Sequence, residues 1–466
     1  MDATDGSTSR STTARYSIRS VAFWAFLLTQ FLGAFNDNYF KQMVLLTCLS
    51  QVKNAGEKAP DRQPIAMIAF AVPFILLSGF GGFLSDRISK QRVIAGCKVA
   101  EIFIMATAVA ILLIPDLSSD AQLLSLIGVL ALMGSHSAIF APSKYGVLPE
   151  LFYEEQLRPV NGAVQMTTFL AIIFGTACAG FALDKIGGSM WIGSVIAIGI
   201  ACLGTVSSLV IPRTRPADPG LKLHPENLFV PRSVVSLVRQ NPNLMMAIVI
   251  SSVFWFLGGV TQMGVNTLGK SSMGLSDTRT SLMVAGIGFG IAAGCIIAGF
   301  LGSGRSGRLW VTTGAWLLFF SLTLIAWIGS GHFGLPRTAG QLDEPLLQSL
   351  LSADRIEWSL RFSMVLLGVS AGMFFVPIQV YLQQAPPADL KGRLLGVQNL
   401  MTWIGIVLSA LYVSLFGMIV APWTRPGAEG SLQWLLFVSL AAMMIPICLF
   451  YRLPEPPAAN IAVSTT

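Results

Sequence analysis

"FLGAFNDNYFKQMVLL", residues 31–46, is apolar enough at its ends to sit in lipid, yet its middle carries Asn36, Asp37, Asn38 and Lys41. In hydrocarbon such groups are tolerated only when they are paired or face a wet cavity. The surrounding chain shows that hydrocarbon is the right medium. Of its 466 residues, 53% are hydrophobic and only 11% charged, with a mean hydropathy of +0.68. A soluble protein of this length needs far more charge to cover its surface, so the class is a polytopic, all-α membrane protein.

The net charge of +7 does not point to nucleic acid, because the positive residues fall in short loops between apolar stretches. Cys48, Cys97, Cys178, Cys202, Cys295 and Cys448 all lie within predicted spans, without metal-ligand or redox spacing, and read as small core residues. No metal site, cofactor or disulfide is expected. The first residues are rich in Ser and Thr, and Arg10, Arg15 and Arg19 precede the first apolar stretch. That stretch is too long for a signal peptide and has a polar centre, so it is read as an uncleaved first helix.

A span needs about 20 mostly apolar residues. Spans are predicted at 21–49, 64–84, 93–115, 121–142, 160–183, 190–211, 244–268, 278–301, 309–331, 356–383, 393–420 and 432–452, about twelve in two sets of six. The chain thus divides into an N-terminal tail 1–20, a half 21–211, a central loop 212–243, a half 244–452 and a tail 453–466. Lys and Arg number about 18 on the side holding both termini and the central loop, against about 10 on the other, which makes the termini cytoplasmic.

The halves repeat. "GFLSDRISKQR" (82–92) ends the second span and "GFLGSGRSGR" (299–308) the eighth. Pro142 and Pro377 hold matching places in the fourth and tenth spans, and Phe23-Trp24 matches Phe254-Trp255 near the start of the first and seventh. Parallel repeats of six spans, with the substrate path between them, are one transporter architecture.

Gly82-Phe-Leu-Ser-Asp86-Arg87-Ile-Ser-Lys90-Gln-Arg92 resembles the loop signature of the major facilitator superfamily, G-x-x-x-D-R-x-G-R-x-R, with Lys90 for an Arg and Ser89 for a Gly. Physically, Gly82 would let the second span approach a neighbour, and Asp86 would face the N-terminal dipole of the eleventh span, near Lys391–Leu394. Arg87, Lys90 and Arg92 would complete a cytoplasmic gate. The second copy lacks the acid, with Ser303 near its place. A loop that is basic only for topology is the plainer alternative.

A closer resemblance follows. "FLGAFNDN", "APSKYGVLPEL", "FFVPIQVYLQQ" and "GVQNL", in order and at the right helix ends, are together similar to the bacterial lysophospholipid transporters. That resemblance implies alternating access that flips lysophospholipids inward across the bacterial cytoplasmic membrane for reacylation, with any acyltransferase a separate protein. It also places Asp37 at the family's acidic position and implies an arginine near residues 262–263, where this chain has Gln262-Met263.

Asp37 and Lys41 stand at i and i+4, on one helical face, and can neutralise each other. As a structural pair they would fix packing. On a cavity face, Asp37 would meet an ammonium head group, with Lys41, Asn36 and Asn38 near phosphate and hydroxyls. Lys144 is either a snorkelling lysine or a cation for that phosphate. Gln262, Asn266, Gln379, Gln383, Gln398 and Asn399 are amides that serve equally as interhelical glue or as ligand contacts. Gly286, Gly290 and Gly294 have helix-packing spacing.

An enzyme is disfavoured. His136, His224 and His332 each lack an acid at His-x4-Asp spacing, and no nucleophile elbow appears. The alternatives to a lysophospholipid flippase are an exporter of amphipathic drugs, with Asp37 carrying a coupling proton, and a non-transporting scaffold for a lipid-modifying enzyme. Membrane lipid and an amphipathic small molecule are the expected partners, and the repeat construction makes a functional monomer the default.

Overall fold

The computed structural model describes residues 16–55, 61–153, 156–187, 189–222, 232–300, 307–331, 351–385, 391–423 and 432–454, almost all of them helical. In chain order the helices are α1 Val21–Ala55, α2 Gln63–Arg87, α3 Lys90–Leu112, α4 Ser119–Gly146, α5 Leu148–Leu151, α6 Leu157–Lys185, α7 Met190–Val210, α8 Arg232–Gln240, α9 Pro242–Thr267, α10 Asp277–Phe300, α11 Gly307–Gly329, α12 Arg355–Gln384, α13 Lys391–Val420 and α14 Trp434–Phe450. Local chemistry starts them. The Ser118 hydroxyl accepts the Ala121 N–H at the head of α4, and the Asp354 carboxylate accepts the Glu357 N–H at the head of α12. Each satisfies a donor that the first helical turn leaves unpaired.

Among the described residues, ten helices are long and apolar enough to cross a membrane: α2–α4, α6, α7 and α9–α13. Two more pack with them. Polar residues interrupt α1, and α14 has only 17 residues. Ten of the about twelve expected spans are thus defined by length and apolarity among the described residues, and α1 and α14 pack with them. Where a plain loop was expected at 212–243, α8 forms. Its Leu237 and Val238 pack against the core while Arg239 stays exposed, an apolar stripe legible in "RSVVSLVRQ".

Packing repeats with the sequence. α1 lies on α6, α2 on α4 and α3 on α7; six spans on, α9 lies on α13, α10 on α12 and α11 on α14. The halves meet along α6–α10 and α2–α13, each contact the image of the other. Pro142 and Pro377 both sit inside their helices. Phe23–Trp24 and Phe254–Trp255 are both edge-to-face pairs, with ring centroids 5.5 Å apart.

Within a half the helices touch backbone to backbone. A β-carbon on Gly290 would stand 2.1 Å from the Val365 carbonyl oxygen, one on Gly294 2.2 Å from that of Val369, and one on Gly368 2.0 Å from that of Ile287. Gly286, expected to share this role, has ordinary room, with its nearest neighbour at 3.6 Å. A similar correction applies to Gly82, whose β-carbon would meet nothing within 4 Å; the close approach belongs to Gly81, 2.9 Å from the Ala138 carbonyl oxygen. Cys178 and Cys202, expected in the core, face outward.

Between the halves, polar contacts gather at the end of the bundle away from the termini. The Gln42 side-chain amide donates to Asn266 Oδ1 at 2.9 Å, and Gln262 donates to Gln42 Oε1 at 3.3 Å. Asn266 donates to Gln63 Oε1 at 3.0 Å, and Gln63 to Thr267 Oγ1 at 3.1 Å and to Asp61 Oδ2 at 3.1 Å. Burial raises the Asp61 carboxyl above the ordinary carboxylate range, although bonds from Gln63 oppose this. Nearby, Asp184 at the end of α6 accepts the Asp277 and Thr278 N–H groups at 3.0 and 2.7 Å, capping α10 across the interface. Deeper in the bundle, Phe74 stacks on Trp403 at 3.5 Å.

Two outcomes follow from this division. Gly368→Val should cost about 1–3 kcal/mol or more by overpacking, lowering the melting temperature in detergent, whereas Gly286→Ala should leave it unchanged. Gln42→Ala combined with Asn266→Ala should instead loosen the far face. Each lost hydrogen bond is worth about 1 kcal/mol, so a maleimide-reactive cysteine placed at Thr267 should label several-fold faster than in the parent.

Candidate functional site

The polar centre of α1 divides by helical angle, because successive residues point about 100° apart. Asn36 is wholly buried and turned back into its own half, donating to Glu101 Oε1 at 2.6 Å and to the Ala197 carbonyl at 3.3 Å. It therefore does not share the face of Asp37, as had been expected. Asp37 points toward α4, where the Ser137 hydroxyl donates to Oδ2 at 2.7 Å. The other carboxylate oxygen, Oδ1, is buried and accepts no hydrogen bond.

Asp37 and Lys41 do not pair. Lys41 Nζ donates to Asn38 Oδ1 at 3.0 Å and lies 5.4 Å from the centre of the Phe70 ring. Asn38 also donates to the Ala34 carbonyl at 2.8 Å. The i, i+4 spacing permits an ion pair, but the serine and the asparagine offer each group a better-placed partner. Ala34, Asp37, Asn38 and Lys41 remain the half-buried stripe of α1, while Asn36, Tyr39 and Phe40 are buried.

Behind this stripe lies a cluster of charge that sequence reasoning passed over. Lys98 Nζ and Glu101 Oε2 are 2.5 Å apart, with 2% and 0% of their side chains exposed. His136 Nε2 is 3.5 Å from the same carboxylate oxygen, and His136 Nδ1 is 2.6 Å from the Met133 carbonyl oxygen. The signal was present: an i, i+3 acid–base pair in the third apolar span is as anomalous as Asp37. His136 had been weighed only as an enzymatic base.

Lys144 lies within the last turn of α4, beyond Pro142, and is buried. Its ammonium donates to Thr168 Oγ1 at 3.0 Å; Thr168 in turn donates to Gln30 Oε1 at 2.9 Å, and Gln30 donates to Thr167. Lys144 is electrostatically coupled to both Asp37 and Lys98. The interior of this half thus presents a carboxylate and two ammonium groups on surfaces of α1 and α4.

In the other half the amides serve mainly as glue. Gln262 and Asn266 belong to the seal between the halves. Gln398 donates to Ser251 Oγ at 3.1 Å and to Gln379. Asn399 is exposed on α13. The Gln383 side chain, the Ser303 position, His224 and His332 lie outside the described residues. A second buried charge cluster, also missed, joins Arg279 to Glu357 at 2.6 Å and Glu357 to Arg361 at 2.5 Å.

The loop signature is partly assembled. Lys90 pairs with Glu150 at 2.5 Å, tying α3 to α5 within one half. Asp86 and Arg92 are exposed, and Arg87 lies 5.6 Å from the centre of the Phe83 ring. The Asp86 main-chain carbonyl accepts the Asp218 N–H at 2.9 Å, so this loop holds the start of the central segment. Among the described residues the Asp86 carboxylate carries no ion pair.

A half-buried acid and two cations within the N-terminal half are suited to binding a zwitterionic or charged solute. The comparisons agree with transport. The chain is 28% identical over 421 residues to the lysophospholipid transporter LplT of Photorhabdus laumondii, covering 89% of this chain and 94% of that one. It is 28% identical over 381 residues to LplT of Pectobacterium carotovorum, covering 81% and 82%. Among solved structures, a POT family transporter superposes with a TM-score of 0.64 at 12% identity, covering 92% of this chain and 95% of that one. The nucleoside transporter NupG superposes at 0.59 and 13% identity, covering 92% and 100%. The profile of the Major Facilitator Superfamily matches residues 26–410, and the chain belongs to that family of transporters.

Proposed function

We propose that this transporter flips lysophospholipids inward across the bacterial cytoplasmic membrane by alternating access, delivering them for reacylation. Similarity to LplT across most of the chain supports the substrate class. The observation that carries the reading is Asp37, with one oxygen held by Ser137 and the other buried and open to a donor. A protonated amine of the head group completes that carboxylate, and its phosphate falls to Lys41 or Lys144. With cytoplasmic termini, the amide seal closes the outward face. Phe70, Phe74 and Trp403, packed together beside Lys41, offer apolar surface to an acyl chain.

Gln262 stands where the lysophospholipid transporters lead one to expect an arginine, and here it is engaged with Gln42. Phosphate recognition then rests on the two lysines of the N-terminal half.

Uptake of labelled lysophosphatidylethanolamine by proteoliposomes tests the proposal. Wild type should exceed empty vesicles. Asp37→Asn and Lys144→Ala should each lose roughly tenfold or more, as expected for a charge-assisted bond of about 1.5–3 kcal/mol. Absence of lipid uptake by a preparation that exports a cationic dye would overturn the lipid reading in favour of drug efflux.

A further inference from the structure

We propose that Thr168 is a positioning residue that orients the Lys144 ammonium for the substrate's phosphate. The inference deepens the transport reading above and rests on it for the phosphate; the placement of the side chains stands on its own distances. Lys144 comes from α4 and Thr168 from α6. Lys144 Nζ donates to Thr168 Oγ1 at 3.0 Å. The other buried lysines among the described residues are neutralised on the spot: Lys90 and Lys98 each lie 2.5 Å from a glutamate oxygen. Lys144, 8% exposed, has a neutral hydroxyl in that place.

That difference in partner decides what the ammonium can do. A carboxylate orients a lysine and cancels its charge. A hydroxyl orients it and leaves the charge for another anion. Nζ has three N–H donors, and Thr168 takes one. Asp37 and Lys144 interact electrostatically but make no ion pair. A zwitterionic head group would bridge them, its amine toward Asp37 and its phosphate toward Lys144. The Tyr145 ring, its centre 5.4 Å from Nζ, adds attraction without fixing a direction.

Thr168 itself is held firmly. Its hydroxyl has two acceptors in reach, Gln30 Oε1 on α1 at 2.9 Å and the Val164 carbonyl of its own helix at 2.7 Å. Whichever takes the hydrogen, Oγ1 stays between them and keeps a lone pair for Lys144. Gln30 is 1% exposed and is fixed in turn by its bond to Thr167. Farther along the same helix pair, a β-carbon on Gly175 would stand 2.5 Å from the Phe35 carbonyl oxygen, so α1 and α6 cannot shift past each other. The ammonium is thus set by a rigid frame, although its own stem is flexible.

Two measurements test this. The first needs no substrate: nitrogen NMR of lysine-labelled protein in lipid bilayers, with the Lys144 signal assigned by its absence from Lys144→Gln. Thr168→Val, which keeps the branched shape and removes the hydroxyl, should move that signal and leave the Lys41 signal in place. Thr168→Ser should restore it. A Lys144 signal identical in wild type and Thr168→Val would overturn the proposal.

The second is the kinetics of labelled lysophosphatidylethanolamine uptake by proteoliposomes. Thr168→Val should raise KM about fivefold, as for one hydrogen bond, with kcat little changed and Thr168→Ser close to wild type. Thr168→Val combined with Lys144→Ala should be no worse than Lys144→Ala alone, because the threonine acts through the lysine. Inhibition by a long-chain alkylamine, which has no phosphate, should be unaffected. A merely structural threonine would add its loss to that of Lys144→Ala and weaken the amine equally, and either result would overturn the proposal while leaving the lipid function standing. No uptake by wild type would overturn the lipid reading itself, and the phosphate with it.

Discussion

An ammonium and a carboxylate 2.5 Å apart, both sealed from water at membrane depth, constrain everything else in the N-terminal half. Losing one partner of such a pair costs about 3–5 kcal/mol, because the other is left charged and unsolvated. Lys98 and Glu101 are therefore fixed, and Asn36 is fixed to Glu101. That bond sets the rotation of α1. With Asn36 turned inward, Asp37, Asn38 and Lys41 necessarily face away from the α3–α7 side. The position of the proposed substrate acid is thus a consequence of a structural ion pair, not of α1 alone.

The same chain uses two kinds of contact. Within a half, glycines at Gly290, Gly294, Gly368 and Gly372 bring backbones together so closely that a single added carbon collides with a carbonyl. Such packing cannot slide. Between the halves, Gln42, Gln63, Gln262 and Asn266 make neutral hydrogen bonds, each modest in energy and replaceable by water. Asp184 caps α10 through main-chain N–H groups, which water can also satisfy. Close approach also crosses the interface, where a β-carbon on Gly180 would stand 2.2 Å from the Asp277 carbonyl oxygen, beside the Asp184 cap.

Much of this was legible in the sequence. Apolar runs of span length, the matched Pro142 and Pro377 and the repeated Phe-Trp pairs carried the two-half architecture, because membrane helices must satisfy their backbone internally and repeats preserve local chemistry. Side-chain pairing was less legible. Spacing placed Asp37 and Lys41 on one face but carried no information about Ser137, a hundred residues away. Gln262 and Asn266 were seen as a pair on one face, yet their partners Gln42 and Gln63 come from other helices. Gly82 was chosen over Gly81 from a motif, and one residue is a large rotation on a helix. Lys98–Glu101 could have been found by applying to the third span the test that singled out the first.

The central claim is that two rigid halves rock about the site at Asp37. Pulsed electron-spin distances between the halves test it most directly, with labels at Ile114 and Trp423 for the far face and at Arg92 and Leu309 for the face of the termini. Adding lysophosphatidylethanolamine should change the two distances in opposite senses, while a pair within one half, Arg92 and Trp191, stays fixed. Movement within that half, or substrate transport with both inter-half distances unchanged, would contradict the account.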